Sequence, residues 1–407
     1  MKNSEFIKKI AQEEDSFYLY DEEVILERIN NLKENFPSVE FLYSLKTNPN
    51  PDILDTIYDT GLGADAASLK EVEISFERIK NKEKIQYSAP GKSEKDIEES
   101  FDKAIIIADS INEVKLISEV AVKNSKEIEI GIRINPNFTF TEDKGMPGKF
   151  GIDEDLFFEK LDEFQNFPNI KISGIHVHSK SQELNYKIIE NYYKNLLDLT
   201  VKVEEKLNGE LKFVNMGSGI GIPYEEDDKE VDIETLGNSL EKFLKESSEK
   251  LQKTKFYIET GRYLVGKSGI YVTKVRDKKS SFGKNFVILN NTLNGFYRPS
   301  ISQMVSLYTD YKNAPANEPL YTSPNSSQFY PLEKRGEKET VTIMGNLCTA
   351  ADVIEKEIVF PKLEIGDIVI FNNAGSYSIV LTPMQFASME RPKEFLLKKD
   401  KSIKETK

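Results

Sequence analysis

The chain has 407 residues, which is enough for two or three domains and a large core. Its 55 Lys and Arg against 68 Asp and Glu give a net charge of −13, which argues against nucleic acid or an anionic membrane surface as a partner. Hydrophobic residues make up 39%, with 24 Phe and 18 Tyr, so disorder is excluded as the main state.

Scarce residue types restrict the chemistry further. The single cysteine, Cys348, excludes a disulfide framework and a cysteine-based zinc or iron–sulfur site, and it fits a reducing compartment. The N-terminus has no apolar segment of signal-peptide length, and no apolar run approaches the ~18 residues of a membrane span. We therefore expect a soluble, cytoplasmic protein. Both histidines stand in His176-Val177-His178, so any histidine chemistry is confined to that tripeptide.

Strand-like runs alternate with amphipathic stretches from about residue 40 to 265. The eight strand candidates are Phe41–Leu45, Leu62–Asp65, Ile85–Ala89, Ala104–Asp109, Ile128–Asn135, Ile170–His178, Phe213–Met216 and Phe256–Thr260. Helices are predicted between them, with Ser93 and Ser110 at N-cap positions. This alternation predicts an α/β fold, a (β/α)8 TIM-like barrel, with an open doubly wound sheet as the alternative.

The pattern changes after Gly266. Four strand candidates follow without helices between them: Ile270–Arg276, Phe286–Asn290, Val341–Met344 and Ile368–Phe371. The Pro-, Asn- and Ser-rich stretch Thr309–Lys338 is typical of a long loop, and Lys398–Lys407 of a solvated tail. We therefore predict a barrel over residues 31–265 and a β-rich domain over residues 266–407. Residues 1–30, with the strand candidate Phe17–Tyr20, are expected to join the second domain.

Unusual polar residues stand where the predicted barrel strands end, the face on which barrel enzymes carry their sites. Lys46 follows the first strand, and Gly217–Gly221 follows the seventh. Glu259 and Arg262 come at the end of the eighth. Lys46 is either a surface group or, with its pKa lowered by desolvation and nearby cations, a nucleophile that forms a Schiff base.

The glycine run and the histidines each allow more than one interpretation. A dinucleotide site fails for Gly217–Gly221 because Pro223 and acidic residues follow where a helix should begin; a backbone nest for one phosphate, with Arg262 as countercharge, fits better. His176 and His178 point to one face of their strand. One interpretation is a metal-dependent amidohydrolase, but such a site needs further histidines. Another is a Ser-His triad, but the sequence has no G-x-S-x-G turn. The remaining two are a pair of core histidines and an imidazole stacked on an aromatic cofactor.

Taken in chain order, these motifs resemble the fold-type III decarboxylases that depend on pyridoxal phosphate, the diaminopimelate and ornithine decarboxylase family. The resemblance covers about Phe17 to Phe395 and implies an alanine-racemase-like barrel with a β-rich second domain. It assigns Lys46, in Tyr-Ser-Leu-Lys-Thr-Asn, as the lysine that covalently holds pyridoxal phosphate. Further cofactor contacts are implied for His178, Ser181, Gly217, Ser218, Gly219, Glu259, Arg262 and Tyr377.

The resemblance also implies how the substrate is bound and where the catalytic groups come from. Cys348 resembles a catalytic cysteine contributed by the other subunit, where it donates a proton, so a homodimer with shared sites is implied. The family uses no metal, and its substrate is a small amino-acid-type molecule. The implied substrate-binding residues are Arg262, Arg298, Thr349, Asp352 and Tyr377.

Departures from the family pattern concern the substrate more than the cofactor. Thr349 stands where diaminopimelate decarboxylases have an acid for the distal ammonium, and Ser302 where they have a tyrosine. Lys180 and Ser218 replace glycines, and Thr260 replaces a proline. We therefore predict decarboxylation of a modified amino acid, as in siderophore or antibiotic assembly. The alternatives are a meso-diaminopimelate decarboxylase of lysine biosynthesis, a racemase and a non-catalytic pyridoxal-phosphate-binding protein.

Overall fold

The computed structural model describes residues 3–207, 211–247, 249–306 and 328–406, which form two sheets. Three elements precede the barrel: α1 (Ser4–Ile10), β1 (Ser16–Asp21) and α2 (Glu22–Asn35). None of the helices within the described ranges has the length and apolar character that crossing a bilayer requires.

Eight parallel strands close into a barrel, which confirms the predicted fold and makes the open sheet wrong. The eight strands are β2 (Val39–Ser44), β3 (Gly63–Ala66), β4 (Ile85–Tyr87), β5 (Ile105–Ala108), β6 (Ile128–Asn135), β8 (Ile170–His176), β9 (Phe213–Asn215) and β10 (Lys255–Thr260). The two-residue β7 (Ile152–Asp153) pairs with β6 and is not one of the eight. β2 pairs with β10 and β5 pairs with β6, so the barrel has no open edge.

Helices surround the barrel: α3 (Pro51–Tyr58), α4 (Leu69–Ile79), α5 (Glu94–Ser100), α6 (Ile111–Lys123), α7 (Glu154–Gln165), α8 (Tyr186–Lys206), α9 (Ile233–Glu246) and the one-turn α10 (Arg262–Val265). The predicted N-caps are confirmed, because Ser93 and Ser110 accept the backbone N–H of Asp96 and Glu113. α2 packs against α3, α9 and α10, so the ring is completed by a helix that precedes the first barrel strand. The boundary predicted at residue 31 falls inside α2.

The second domain is built on β1 and the strands that follow the barrel. Its elements are β11 (Gly269–Ser281), β12 (Lys284–Leu289), α11 (Arg298–Ser306), β13 (Phe329–Pro331), β14 (Lys338–Gly345), β15 (Val353–Pro361), β16 (Ile368–Phe371), β17 (Lys393–Leu397) and β18 (Ile403–Glu405). β1 lies between β11 and β17, and a small core joins Phe17 and Leu19 to Val272, Ile370 and Phe395. The N-terminal strand is therefore an internal strand of this sheet.

Two expectations for the second domain are wrong. α11 stands between β12 and β13, where no helix is predicted; Pro299 occupies its first turn, a position that suits proline, and the helix packs on β15. The lysine-rich end is not a solvated tail, because β18 pairs with β17 and Lys398 bonds to Glu22. Of the predicted long loop, residues 309–327 lie outside the described residues.

The barrel strands also form a second, smaller apolar cluster, separate from the larger core. Leu42, Ile105, Ile107, Phe213 and Tyr257 form it, while their strand neighbours Phe41 and Ile106 belong to the larger core. This alternation is what a pleated strand requires, since successive side chains point to opposite faces. Gly174 makes room for the aromatic ring, because a Cβ there would lie 2.4 Å from Phe213.

We expect Phe213→Ala to lower the free energy of unfolding by about 3–5 kcal/mol, the usual cost of removing a buried aromatic ring. Phe213 is 3% exposed, whereas Phe282, in the turn between β11 and β12, is fully exposed and serves as the control. Phe282→Ala should change stability by less than about 0.5 kcal/mol. Urea unfolding of both variants measures the difference, and equal midpoints would show that the smaller cluster does not stabilise the barrel.

Candidate active site

A cavity of about 430 Å³ opens where the barrel strands end and the second domain meets them. Its wall comes from the loops after several barrel strands and from one residue of the second domain. Seven of the predicted cofactor residues line it: Lys46, His178, Ser181, Ser218, Glu259, Arg262 and Tyr377. The chain thus brings residues separated by up to 331 positions to one place.

Lys46 lies in a one-turn 3-10 segment, Leu45–Thr47, directly after β2. Its Nζ is 3.1 Å from Oδ2 of Asp65, a fully buried carboxylate that is the last residue but one of β3. Desolvation lowers the pKa of Lys46, but the carboxylates of Asp65 and Glu259 outweigh it and hold the pKa above the ordinary lysine value. The lowered pKa expected from the sequence is therefore wrong for the chain by itself, because the dominant neighbours are acids and not cations.

Asp65 is held by the strands on either side of it. Its Oδ2 accepts a hydrogen bond from Ser44 Oγ at 2.8 Å, and its Oδ1 accepts one from Ser88 Oγ at 2.6 Å. Ser44 ends β2 and Ser88 directly follows β4. With these bonds fixed, the side chain presents one oxygen to Lys46, which positions the amine in the cavity.

Glu259, in β10, is the buried acid of the cavity, at 2% exposure. Its Oε1 lies 2.9 Å from His176 Nε2 and accepts a hydrogen bond from Asn215 Nδ2 at 3.1 Å, and its Oε2 lies 3.4 Å from His178 Nδ1. Desolvation opposes ionisation, but these histidine contacts lower the pKa of Glu259 well below its usual range. Burial lowers the pKa of His176, so this imidazole is neutral at pH 7.

The two predicted histidines have different positions. His176 is fully buried beside Glu259, whereas the His178 ring is partly exposed to the cavity. The Ser218 N–H donates to His178 Nδ1 at 3.2 Å, and Ser181 Oγ lies 3.4 Å from His178 Nε2. The described residues contain no group of three or more His, Cys, Asp or Glu side chains placed to hold a metal ion. The amidohydrolase alternative therefore has no ligand set in this part of the chain.

The glycine run after β9 forms a tight loop against the histidine segment. Gly217 has φ of +67°, and a Cβ there would lie 2.4 Å from the Val177 carbonyl oxygen, so the position requires glycine. The N–H groups of Gly217 and Ser218 already donate to Asn215 Oδ1 and His178 Nδ1. A phosphate in this corner would therefore rely on other N–H groups of the loop and on Arg262.

Arg262 begins α10 and lies under Tyr377, the residue that reaches the cavity from the second domain. Its guanidinium carbon is 4.9 Å from the centre of the Tyr377 ring, and its Nη1 donates to the Tyr224 hydroxyl at 2.7 Å. The Tyr377 N–H donates to the Thr47 carbonyl oxygen at 3.0 Å, which ties the second domain to the segment of Lys46. The guanidinium and the Tyr377 ring form the basic corner of the cavity.

Three predicted substrate residues, Arg298, Thr349 and Asp352, do not line the cavity in this chain. Arg298 is buried and donates to the carbonyl oxygens of Asn373 and Ser376, so it shapes the segment that leads to Tyr377. Asp352 is fully buried and accepts hydrogen bonds from Thr292 and from the N–H of Leu347. Direct substrate contact by Asp352 is not supported, because the protein already uses both of its oxygens.

Cys348 and Thr349 stand apart from the cavity of their own chain. They lie in the loop between β14 and β15 that Asp352 anchors, with Cys348 exposed and Thr349 partly exposed. The thiol is thus available to the surroundings of the chain and not to its own cavity. Any shared site requires a second copy that brings this loop to the cavity.

Three site residues were missed in the sequence. Asp65 positions Lys46, Asn215 bonds to Glu259, and Arg133 lines the cavity with its guanidinium 4.4 Å above the Phe150 ring. Each stands within the last three residues of a predicted strand, which is the signal that would have found them. None belongs to a motif that marks it apart from other strand-end polar residues.

Comparison with known proteins identifies the family. A family profile described as pyridoxal-dependent decarboxylase, pyridoxal binding domain, matches residues 22–266. The L-glutamyl-[BtrI acyl-carrier protein] decarboxylase of Niallia circulans is 31% identical, covering 94% of this chain and 89% of that protein. The diaminopimelate decarboxylase of Archaeoglobus fulgidus is 28% identical, covering 93% and 86%. The 2-[(L-alanin-3-ylcarbamoyl)methyl]-2-hydroxybutanedioate decarboxylase of Staphylococcus aureus is 26% identical and covers 93% of each chain.

Solved structures agree with this assignment. The crystal structure of AQ1208 from Aquifex aeolicus matches with a TM-score of 0.82 and 26% identity, covering 98% of this chain and 90% of that one. A Helicobacter pylori diaminopimelate decarboxylase structure shares the fold, with a TM-score of 0.82 at 24% identity and coverage of 98% and 95%. With the profile match, the curated relatives and the cavity at the barrel rim, the chain belongs to the fold-type III amino-acid decarboxylases that depend on pyridoxal phosphate.

Proposed function

We propose that this decarboxylase acts on an α-amino acid whose distal end is joined to an acyl group, in a specialised pathway such as siderophore or antibiotic assembly. The observation that carries the proposal is that Glu259 is the one carboxylate among the described residues lining the cavity. His176 and Asn215 already engage it. A distal ammonium would therefore lack a charge-assisted hydrogen bond worth ~1.5–3 kcal/mol.

The names of two relatives support a conjugated substrate. The Niallia circulans enzyme is named for a glutamyl group on an acyl-carrier protein, and the Staphylococcus aureus enzyme for an alanin-3-ylcarbamoyl derivative of hydroxybutanedioate. Both names describe an amino-acid unit joined through a carbonyl group to a larger partner. A hydroxyl such as that of Thr349 suits a neutral or acidic distal group better than an ammonium.

The second candidate is meso-diaminopimelate, since several relatives carry the name diaminopimelate decarboxylase. Two residues weigh against it. Thr349 replaces the acid that the family uses for the distal ammonium, and Ser302, where the family has a tyrosine, is fully buried. The two candidates differ in the charge of the distal group, which a substrate panel tests directly.

The chemistry of the cavity fits the cofactor of the family. We assign Lys46 as the covalent attachment point, Glu259 as the partner of the pyridine nitrogen and His178 as the ring that stacks on it. The loop Gly217–Gly219, Ser181, Arg262 and Tyr377 would hold the phosphate end. When bound, pyridoxal phosphate supplies an electron sink for the electron pair left when CO2 departs. An ionised Glu259 would keep a proton on the pyridine nitrogen of the bound cofactor.

Lys46 must lose a proton before its amine can form a bond to carbon. The neighbouring carboxylates raise its pKa, so the resting amine is protonated at neutral pH. Asp65 Oδ2, at 3.1 Å, is the acceptor next to that amine and holds it in place. The same contact therefore orients the amine and slows its conversion to the reactive form.

Cys348 is assigned as the group that completes the reaction in the site of a second copy. Loss of the carboxyl leaves a carbon that needs a proton, and a thiol delivers one when it lies within reach. The exposed position of Cys348, outside the cavity of its own chain, supports a homodimer in which each site combines Lys46 of one chain with Cys348 of the other.

We expect Asp65→Asn to shift the pH profile of cofactor incorporation to lower pH. A raised pKa means that the free amine of Lys46 appears only as pH rises, and removing the carboxylate lowers that pKa. The rate at which the visible band forms after pyridoxal phosphate is added to the cofactor-free enzyme measures the effect across pH. Asp55→Asn, which changes an exposed acid paired with Arg78, is the matched control. In Lys46→Ala, borohydride should not attach the cofactor covalently to the chain. An unchanged profile in Asp65→Asn would show that this carboxylate does not control the amine.

CO2 release over a substrate panel tests the proposed substrate class. The panel contains meso-diaminopimelate, lysine, ornithine, the glutamyl thioester of a carrier protein and 2,3-diaminopropionate acylated by citrate. We expect at least one conjugate to reach a kcat/KM of ~10⁴ M⁻¹s⁻¹, the ordinary enzyme range. The free diamino acids should be at least about tenfold worse, the lower limit of the lost hydrogen bond. Efficient turnover of meso-diaminopimelate, with no conjugate turned over, would contradict the proposal.

Mixing two inactive variants tests the shared site. Lys46→Ala lacks the attachment point and Cys348→Ala lacks the thiol, so each protein alone should be inactive or nearly so. If chains assort randomly into dimers, the mixture regains up to about a quarter of the sites, because half of the dimers carry one intact site. Native mass spectrometry confirms that the subunits have exchanged. Exchange without any recovered activity would argue that both residues act within one chain or that Cys348 has no part.

A further inference from the structure

A second cavity of about 330 Å³ adjoins the first, a size suited to a small ligand. It lies between the loop that follows β6 and the segment that follows β8. Four residues line both cavities: Phe150, His178, Ser179 and Lys180. A substrate whose amino-acid end occupies the first cavity therefore has a direct route for its distal end into the second.

The described lining of the second cavity is mostly uncharged and contains one lysine. Phe138, Phe140 and Met146 contribute apolar surface, and no Asp or Glu is among the described residues that line it. Lys180 is its single Lys or Arg, at the position where the family resemblance expects glycine. An ammonium that faces a lining without acids favours an anion over a cation.

The Lys180 side chain is held in place from behind. Its Nζ lies 2.9 Å from Glu183 Oε2, and the lysine side chain is 23% exposed. The other Glu183 oxygen accepts the N–H groups of Leu184 and Asn185. Glu183 lines neither cavity, so it fixes the direction of the lysine without offering the substrate a carboxylate. An ammonium has three N–H donors, so this one bond leaves two for a ligand.

We propose that the second cavity receives the distal acyl part of the substrate and that Lys180 determines specificity by pairing with a carboxylate on it. This inference rests on the proposed function, which places an acyl conjugate in the first cavity. The substrate class is then an α-amino acid whose distal acyl group ends in a carboxylate. Substrates with a distal ammonium are disfavoured by the charge of Lys180 as well as by the missing acid.

Two conjugates that differ only in distal charge test the role of Lys180. They are L-2,3-diaminopropionate acylated on its side-chain nitrogen by succinate, which ends in a carboxylate, or by succinamate, which ends in the neutral amide. For the holoenzyme, kcat/KM is measured by CO2 release, and the dissociation constant by the change in the cofactor's visible band on titration. We expect the wild type to favour the succinyl conjugate at least about tenfold in both quantities, the size of a charge-assisted hydrogen bond.

Variants assign the preference to the side chain. Lys180→Met should lose at least about tenfold with the succinyl conjugate and stay within about twofold with the succinamyl conjugate, because one charge pair is removed. Lys180→Arg should retain part of the preference. Lys187→Met changes an exposed lysine at the start of α8 that lines neither cavity, and it should behave as wild type. Turnover of the succinamyl conjugate by Lys180→Met shows that the variant is folded.

The outcomes separate this inference from the proposed function. Equal turnover of both conjugates by the wild type, or a preference that survives in Lys180→Met, overturns the role of Lys180 and leaves the conjugate substrate in place. If the wild type processes neither conjugate, the inference is wrong. If it then decarboxylates meso-diaminopimelate efficiently, the proposed function is wrong as well.

Discussion

The buried charge of Glu259 is the constraint on which the site depends. A carboxylate taken out of water costs several kcal/mol unless polar contacts compensate for the lost hydration. His176 and Asn215 supply those contacts, and Gln86 accepts a hydrogen bond from the same Asn215 amide at 2.7 Å. These four residues come from β10, β8, β9 and β4. A shift of one residue in any of these strands would turn its side chain to the other face, so barrel register and site chemistry are a single requirement.

The joint between the domains fixes the opposite side of the cavity. Asn48 Nδ2 donates to the Gly375 carbonyl oxygen at 3.0 Å, and the Tyr377 N–H donates to Thr47. Arg298 holds the same segment through the carbonyl oxygens of Asn373 and Ser376. Because these bonds join backbone to the residues around Lys46, the second domain is part of the site and not an appendage to the barrel.

The sequence predicts the barrel and much of the rim because hydrophobic alternation marks where each strand ends. All eight strand candidates overlap a barrel strand, and Lys46, His178, Glu259 and Arg262 line one cavity as their positions indicate. What the pattern does not contain is the set of bonds that each polar side chain makes. Asp352 illustrates this, because its place near Cys348 in the sequence suggests a contact with the substrate. In the structure it is buried, and its hydrogen bonds hold the loop that carries Cys348.

The same limit explains the error on Lys46. A strand-end lysine near a predicted phosphate site suggests cationic neighbours and a lowered pKa, because the sequence shows Arg262 and not the register of β3. Pairing of β2 with β3 sets Ser44 directly opposite Asp65, and the acid then reaches the amine. A contact made by strand register is invisible to any motif, and here it reverses the sign of the shift.

Charge is distributed in opposite senses over the chain and in the cavity. The chain carries a net −13, yet Lys46, Arg133, Lys180 and Arg262 line the cavity, and Glu259 is the one carboxylate among its described lining residues. Three of these cations face an acid just outside the lining: Lys46 faces Asp65, Arg133 faces Asp109 and Lys180 faces Glu183. Such pairs weaken the field that the cations project into the recess, so the N–H donors left for a ligand matter more than the sum of charges. Arg262 has no ion pair within the described ranges and is the cation left for a cofactor phosphate, while Lys180 keeps two N–H donors for an anionic group on the substrate.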